Sequence, residues 1–229
     1  MKILAVETSS VMGSVALLEE DQILIEISQR LEKQHSTNLV PLIERLLQTA
    51  GIRLADVDGY AVGVGPGSFT GIRVGVTTVK GLALVTQKPV VGISSLAALA
   101  YNGMNGSYPV APFVDAKRNL VYFAWYRSGK NGKPVQLIAP ALGTLKEALA
   151  KMNEPTLFLG DAAQNYRKQI QRLQGKKAHF SPINDYFPRA SSIGKIALEK
   201  FRLGKFDDPQ TLTPTYLYSR YCSIQGNRK

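Results

Sequence analysis

The stretch from Gly63 to Val85, GVGPGSFTGIRVGVTTVKGLALV, constrains the fold of this chain more than any other. Gly65-Pro66-Gly67 predicts a type II turn after a buried strand, because proline fixes φ and glycine tolerates positive φ. Ser68 is a typical helix-capping residue, and no proline follows until Pro89. The predicted helix, residues 68–85, is rich in glycine and β-branched residues, which are poor helix formers, so tertiary packing must stabilise it.

Small residues recur one helical turn apart on this helix, in two pairs. Gly71 and Gly75 lie one turn apart, as do Thr77 and Gly81. Another backbone can approach a helix closely where its side chains are this small. The pattern therefore predicts a helix that is either packed in the core or offered to a partner protein.

Three catalytic or ligand-binding patterns fit this stretch poorly. The P-loop pattern is absent because no Lys-Ser or Lys-Thr pair follows the glycines. The dinucleotide-binding fingerprint fails by one residue at Gly71, and Gln87 stands where an acid is wanted. A nucleophilic Ser68 lacks the G-x-S-x-G spacing, and only His35 and His179 could act as its base.

Composition predicts a cytoplasmic protein. The chain has 229 residues, 45% of them hydrophobic, which suffices for one large or two small domains. Its single cysteine, Cys222, allows no intramolecular disulfide and suggests a reducing compartment. The apolar start is interrupted at Glu7, which leaves it too short for a signal peptide, and no apolar run is long enough to span a membrane.

Charge is divided unevenly along the chain. Residues 1–102 contain 8 Lys and Arg against 9 Asp and Glu, whereas residues 103–229 contain 20 against 8. Such asymmetry can mark a nucleic-acid interface, although a solvated basic face is the simpler explanation. The candidates for contacts with RNA phosphates are Arg167, Lys168, Arg172, Lys176 and Lys177.

The order of elements predicts two similar halves, residues 1–102 and 103–229, separated by the flexible segment 102–106. Hydrophobic periodicity predicts strands at 2–7, 13–18, 22–28, 57–64 and 89–93, with helices at 36–50, 68–85 and 94–100. The pattern restarts with strands at 110–114, 120–126, 135–138, 156–159 and 177–180, and helices at 145–152, 162–173 and 193–201. The fold class is therefore α/β, a tandem pair of βββαβαβα domains of the actin-like, ribonuclease-H-like ATPase type. The C-terminal tail is apolar enough to pack back on the body.

In that architecture, ligands bind between the domains, where loops at strand ends meet. The candidate nucleotide-binding residues at these loops are Glu7, Thr8, Ser9, Ser10, Asp115, Gly160 and Asp161. Acids and hydroxyls of this kind could hold a magnesium–phosphate group, but no Gly-Gly pair follows either acid. The two histidines lie 144 positions apart without any ligand spacing, so no metal site and no cofactor are expected.

Three segments resemble the bacterial TsaB (YeaZ) family: MKILAVETSS, HSTNLVPLIERLL and GVGPGSFTGIRVGVTTVKGLA. The resemblance is specific over residues 1 to about 100. It implies a non-catalytic partner of the transferase TsaD, which makes threonylcarbamoyladenosine on tRNA beside the anticodon. The metal-binding H-x-x-x-H of TsaD is absent from this sequence. A small ATPase, TsaE, would join the complex, and TsaB-like proteins also form homodimers.

The resemblance also implies which residues meet the partner. TsaB-like proteins pair through helices of the first domain, here residues 36–50 and 68–85. The implied interface residues are Leu39, Leu42, Ile43, Leu46, Phe69, Gly71, Ile72, Arg73, Gly75, Val76, Thr78, Val79 and Leu82. Tyr218 departs from the family, because many relatives have arginine there, and the basic second half exceeds what the resemblance explains. This excess motivates the hypothesis of a tRNA contact.

Three other functions stay open on the sequence alone. An ATP-dependent small-molecule kinase of the same fold would use Glu7 and Asp115 to hold Mg²⁺ and nucleotide. A degenerate glycoprotease would need the nucleophile that Ser68 supports poorly. A free-standing tRNA-binding module would bind RNA without any partner.

Overall fold

Two five-stranded mixed sheets, with helices on their faces, form the body of the molecule. The structure is a computed structural model that describes residues 1–31, 35–130, 132–182 and 186–217. Of residues 35–37 it describes the backbone alone. The predictions for Tyr218, for Cys222 and for the side chain of His35 lie outside the described residues.

The first sheet has the strand order β3-β2-β1-β4-β5. Strands β1 to β3 are antiparallel, while β4 and β5 run parallel to β1. The strands are β1 (Lys2–Glu7), β2 (Met12–Glu19), β3 (Gln22–Arg30), β4 (Gly59–Gly63) and β5 (Val90–Ile93). The helices of this half are α1 (His35–Ala50), a 3₁₀ turn (Leu54–Asp56), α2 (Phe69–Thr86) and α3 (Ser95–Tyr101).

The second sheet repeats this connectivity, with the order β10-β9-β6-β7-β8. Its strands are β6 (Val110–Asp115), β7 (Leu120–Ser128), β8 (Pro134–Thr144), β9 (Thr156–Leu159) and β10 (Ala178–Phe180). Its helices are α4 (Leu145–Leu149), α5 (Asp161–Asn165), α6 (Arg167–Gln174) and a 3₁₀ turn (Gly175–Lys177), followed by α7 (Ala190–Arg202). In each half the first strand is central and a later parallel strand lies beside it. The predicted α/β duplication is confirmed.

The local predictions fail in two instructive places. The predicted helix 162–173 is two helices, because Tyr166 adopts φ −102° and ψ 14° between α5 and α6. The turn before α2 is not type II: the Gly65–Pro66 peptide bond is cis, and φ of Gly67 is 159°, whereas a type II turn has about 80° at its third residue. Sequence periodicity carries no signal for a single non-helical residue or for a proline isomer.

Different helices cover the two faces of the first sheet. On one face, α1 and α2 pack their apolar residues on β1, β2 and β4. On the other face, α7 buries a second cluster that includes Leu198 and Phe201 and that Ala98 of α3 joins, while α3 also contacts β6, β7 and β8 of the second sheet. A Cβ at Gly59 would overlap the Phe201 ring, and one at Gly194 would overlap Leu18, so both glycines permit the close docking of α7.

The position of α7 differs from the predicted division of the chain. The sequence pattern places every residue after 102 in the second half, but α7 contacts β1, β2, β4 and β5 of the first sheet. The segment after α7 also returns to the first half, where the Asp207 amide donates to the Val90 carbonyl (2.9 Å). A pattern of apolar residues predicts that a helix will be amphipathic, but it does not say which sheet the helix covers.

Candidate functional site

The first turn of α2 lies against the loop that follows β1. Ser68 is the N-cap residue, and its hydroxyl accepts a hydrogen bond from the Gly71 amide (3.3 Å). The Ser68 amide donates to the Ser9 carbonyl (2.7 Å). Ser68 therefore has the capping role that its residue type predicts.

His179, which the sequence offered as a possible base for Ser68, lies on β10 of the second sheet, stacked on Tyr108 with ring centroids 4.0 Å apart.

The glycine side of α2 faces the interior of this chain. A Cβ at Gly71 would overlap the Thr8 carbonyl oxygen, and one at Gly75 would overlap the Thr8 hydroxyl. Thr8 is fully buried, and its hydroxyl donates to the Gly71 carbonyl (2.8 Å). The close approach predicted from these glycines exists, but the neighbour is the end of β1 and not a partner protein. This side of the helix is closed to other chains.

Nine of the thirteen predicted interface residues are buried inside the chain. They are Leu39, Leu42, Ile43, Leu46, Gly71, Ile72, Gly75, Val76 and Val79. Phe69 and Arg73 are exposed, while Thr78 and Leu82 are half-buried. These nine are among the most apolar or smallest positions of the two helices and pack within the chain, so a partner would meet other residues of α1 and α2, and the pairing itself stays a prediction.

The opposite side of α1 and α2 is exposed and partly apolar. Thr77, Gly81 and Val85 follow one another at four-residue intervals on the exposed side of α2. Val85 is 83% exposed, and a Cβ at Gly81 would meet no atom within 4 Å. Val40 of α1 is also exposed. We call this set of residues, Val40, Thr77, Gly81, Leu84 and Val85, the outer face of α1 and α2. The Thr77–Gly81 spacing was the sequence signal for it.

The C-terminal segment covers one edge of α2. The Lys80 ammonium donates to the carbonyl oxygens of Gln210 (3.1 Å) and Leu212 (2.9 Å). The Arg73 guanidinium lies over the Phe69 ring, 4.0 Å from its centroid, and donates to the Tyr216 hydroxyl (2.9 Å). The predicted return of the tail is thus observed as far as residue 217. Arg73 and Lys80 of α2 thus hold the tail.

A cleft of about 460 Å³ lies between the two halves, beside the start of α2. Four of the predicted nucleotide-binding residues line it: Ser9, Ser10, Asp115 and Asp161. Apolar and aromatic side chains supply much of the rest, among them Phe69, Val114, Tyr122, Phe187 and Pro188. Glu7, Thr8 and Gly160 are not among the lining residues. The topology therefore brings the predicted loops together at the cleft, but three of the predicted residues do not line it.

Glu7 is buried beneath the cleft. Its carboxylate accepts hydrogen bonds from the Ser9 amide and from the Ser95 hydroxyl, the latter at 2.8 Å. The Ser95 hydroxyl in turn accepts from the Gly65 amide (3.2 Å). Burial raises the pKa of Glu7 above its ordinary value, and the hydrogen bonds from Ser9 and Ser95 only partly oppose it. Glu7 thus ties three loops together and has no exposed surface for a hydrated metal ion.

The two aspartates of the cleft are also engaged. Asp115 accepts from the Lys117 amide and ammonium, both at 2.8 Å. Burial acts to raise the pKa of Asp115, but the hydrogen bonds from Lys117 outweigh it and lower this pKa. Asp161 accepts from the amides of Asp115 (3.0 Å) and Ala162 (2.7 Å), and burial, assisted by the Asp115 charge, raises its pKa. Lys117 is the one cation among the described lining residues, and Asp115 already neutralises it. The arrangement does not fit the phosphates of a nucleotide.

The part of the chain that the structure describes contains no cluster of three or more His, Cys, Asp or Glu side chains that could hold a metal ion. Nor is any helix within the described ranges long and apolar enough to cross a membrane.

The five predicted RNA-phosphate residues lie together on α6 and on the 3₁₀ turn after it, and all are exposed. Arg167 stacks on the Phe180 ring, 4.4 Å from its centroid, and the Lys177 ammonium donates to the Asn153 carbonyl (2.9 Å). The positive charge that the sequence concentrates in residues 167–177 is therefore exposed on α6 and the turn after it.

Comparison with known proteins identifies relatives over almost the whole chain. The family model for TsaD, tRNA N6-adenosine threonylcarbamoyltransferase, matches residues 24–220. The tRNA threonylcarbamoyladenosine biosynthesis protein TsaB of Bacillus subtilis is 34% identical over 220 residues, which are 95% of this chain and 94% of the relative. TsaB of Escherichia coli is 35% identical over 224 residues, again 95% of this chain and 94% of the relative.

Solved structures agree with this assignment. YeaZ from Pseudomonas aeruginosa superposes with a TM-score of 0.84 at 28% identity, over 94% of this chain and 99% of that one. The activator of 2-hydroxyisocaproyl-CoA dehydratase from Clostridium difficile, solved with bound ADPNP, superposes with a TM-score of 0.52 at 9% identity, over 91% of this chain and 99% of that one. The second likeness shows the fold alone, and it confirms the predicted actin-like class.

Proposed function

The chain belongs to the TsaB family, and on this premise we propose that it is a non-catalytic subunit in the formation of threonylcarbamoyladenosine on tRNA. Its role would be to pair with a TsaD-like transferase that modifies the adenosine beside the anticodon. A TsaE-like ATPase would join the pair, and the second half of this chain would contact the tRNA. The match to curated TsaB proteins over 95% of the chain carries this proposal.

The state of the cleft supports the non-catalytic part of the proposal. A kinase of this fold needs an acid that reaches a hydrated metal ion and cations that reach phosphate. Glu7 is fully buried, and Lys117 is paired with Asp115. A glycoprotease would need a nucleophile beside a base, whereas Ser68 caps α2. The states of Glu7, Lys117 and Ser68 therefore favour a non-catalytic role over either reaction.

The outer face of α1 and α2 is the surface we assign to the transferase. Exposed apolar residues on neighbouring helices favour a protein partner. Gly81 has no side chain, and a Cβ there would meet nothing within 4 Å, so the position is open. A second helix can therefore approach α2 closely at this point. Without the transferase, the same surface would form a homodimer. The contacts therefore involve Thr77, Gly81 and Val85 and not the buried Gly71 and Gly75.

Size-exclusion chromatography with light scattering tests this pairing. The chain is mixed at micromolar concentration with the TsaD-like protein of its own organism, and the wild type is expected to form a complex. Gly81→Arg should abolish it, because a long charged side chain would occupy the close-approach position. Gly106→Arg is the matched control, since Gly106 is exposed in the second half and a Cβ there would meet the Gly103 carbonyl oxygen at an ordinary contact distance of 3.8 Å.

Two outcomes would contradict the proposal at different levels. If the wild type forms no complex, and omitting it does not reduce threonylcarbamoyladenosine in a reconstituted reaction, the proposed function is wrong. If Gly81→Arg and Gly106→Arg both form the complex, the function stands but the assigned surface is wrong. Circular dichroism on both variants verifies that each is folded.

A further inference from the structure

The helical layer on the second sheet is strongly basic. Residues 145–180 include seven Lys and Arg but only three Asp and Glu. The layer is continuous, because the Gln174 side chain of α6 donates to the Leu149 carbonyl of α4 (2.9 Å). All seven cations are exposed. We call them the basic face: Lys146, Lys151, Arg167, Lys168, Arg172, Lys176 and Lys177.

The three acids of this layer are committed to other groups. Glu147 accepts from the amide (2.8 Å) and hydroxyl (3.0 Å) of Thr144 in a capping box at the start of α4. Glu154 pairs with Arg127 of β7 (2.6 Å). Asp161 accepts from two backbone amides beside the cleft. None of these carboxylates pairs with the basic face.

The cations of the basic face form no ion pair with any residue that the structure describes. Three have other contacts: Lys151 lies 5.5 Å from the Phe123 ring centroid, Arg167 stacks on Phe180, and Lys177 donates to Asn153. These contacts fix the positions of part of the face without neutralising it. Lys168, Arg172 and Lys176 project into solvent with their charge available.

Folding does not account for this arrangement. Ile170 is the one side chain of α6 that is buried. Lys168 and Arg172 are four residues apart on this helix, a spacing at which like charges repel and destabilise the helix. A cluster that costs stability, with its local acids engaged elsewhere, favours an anionic partner.

On the proposed function, which supplies tRNA as the substrate, we propose that the basic face binds the phosphate backbone of tRNA. Phosphate contacts provide affinity and position without reading sequence. A membrane-binding helix also carries lysine and arginine, but it needs a broad apolar face to enter the lipid. In α6 the exposed apolar residue is Leu173 alone. The basic face therefore suits RNA better than lipid.

Salt-dependent binding of an unmodified tRNA transcript tests the assignment. Fluorescence anisotropy is measured over a range of KCl concentrations, with the full chain alone and in its complex with the transferase. The variant Lys168→Gln/Arg172→Gln/Lys176→Gln removes three charges that make no described contact. Each phosphate contact contributes about 0.7–0.9 to the slope of log affinity against log salt, so the slope should become shallower by about two to three.

The control variant Lys88→Gln/Lys130→Gln/Lys205→Gln removes the same charge elsewhere and should leave the slope within one unit of the wild type. Equal slopes for the two variants would overturn the proposal, because net charge alone would then explain binding. Loss of binding to vesicles that contain phosphatidylserine, with tRNA binding intact, would assign the face to membranes instead. If the complex that contains the Lys168→Gln/Arg172→Gln/Lys176→Gln variant assembles normally and binds tRNA as the wild type does, the basic face is not the tRNA-binding surface. The proposed function is then unaffected.

Discussion

Asn102 and Phe187 are 85 residues apart in sequence, yet the Asn102 side-chain amide donates to the Phe187 carbonyl at 2.9 Å. The chain therefore leaves the first half and re-enters it at almost the same point. Ser192 of α7 also bonds to Asn102 (3.1 Å). The intervening residues form the second sheet and its helices. We expect the second sheet to be an insertion into the first unit, which would consist of residues 1–102 and the segment from 186 onward.

This arrangement predicts how fragments behave. Residues 1–102 alone should not unfold cooperatively, because loss of α7 exposes the apolar sheet face that includes Ile3, Leu18 and Val91. Joining residue 102 to residue 186 through a short Gly-Ser linker should restore a cooperative urea transition by circular dichroism. The short Asn102–Phe187 distance makes such a linker feasible. A cooperative transition in residues 1–102 by themselves would show that α7 is dispensable.

The two kinds of glycine on α2 should respond oppositely to alanine. Gly71→Ala places a Cβ against the Thr8 carbonyl oxygen, and overpacking of this type costs about 1–3 kcal/mol. Gly81→Ala meets no neighbour and should stabilise the chain by up to about 1 kcal/mol, the helix-propensity difference. Urea unfolding of the wild type and both variants measures these changes. A Gly71→Ala variant as stable as the wild type would contradict the close packing of α2 on Thr8.

Glu7 should make stability depend on pH in a defined direction. Its folded-state pKa is raised, mainly by burial, so the folded protein retains a proton that the unfolded chain releases first. The free energy of unfolding contributed by this group is full below the unfolded-state pKa and falls as pH rises through the folded-state pKa. Glu7→Gln mimics the protonated carboxyl, with one oxygen that accepts from the Ser9 amide and an NH2 group that can donate to the Ser95 hydroxyl, but it cannot ionise.

The matched measurement is urea unfolding of the wild type and Glu7→Gln at several pH values from 4 upward. The difference between the two free energies should shift in favour of Glu7→Gln as pH rises, and then become constant. A difference that is independent of pH would mean that Glu7 titrates normally in the folded chain. Direct titration of its carboxyl by carbon-13 NMR would confirm either result.

Strand and helix positions could be predicted well from periodicity. The positions of the strands and the repetition in the second half follow from runs of apolar residues and from glycine-rich breaks. The cap at Ser68 and the concentration of basic residues on α6 were likewise readable, because both depend on neighbours within a few residues. The break at Tyr166 and the cis peptide bond at Pro66 were not.

The sequence by itself determined that α2 must have a close neighbour, because a helix containing Gly71, Gly75 and Gly81 cannot be stable without one. Only the tertiary structure decided that the neighbour of Gly71 and Gly75 is Thr8, leaving Gly81 as the open position. The tertiary structure also decided that α7 packs on the first sheet. It buried Glu7 and Thr8, so that neither lines the cleft that their loops surround. Local pattern specifies which side of an element is apolar or small. Which surface meets that side depends on contacts between residues far apart in sequence, and only the folded chain brings those together.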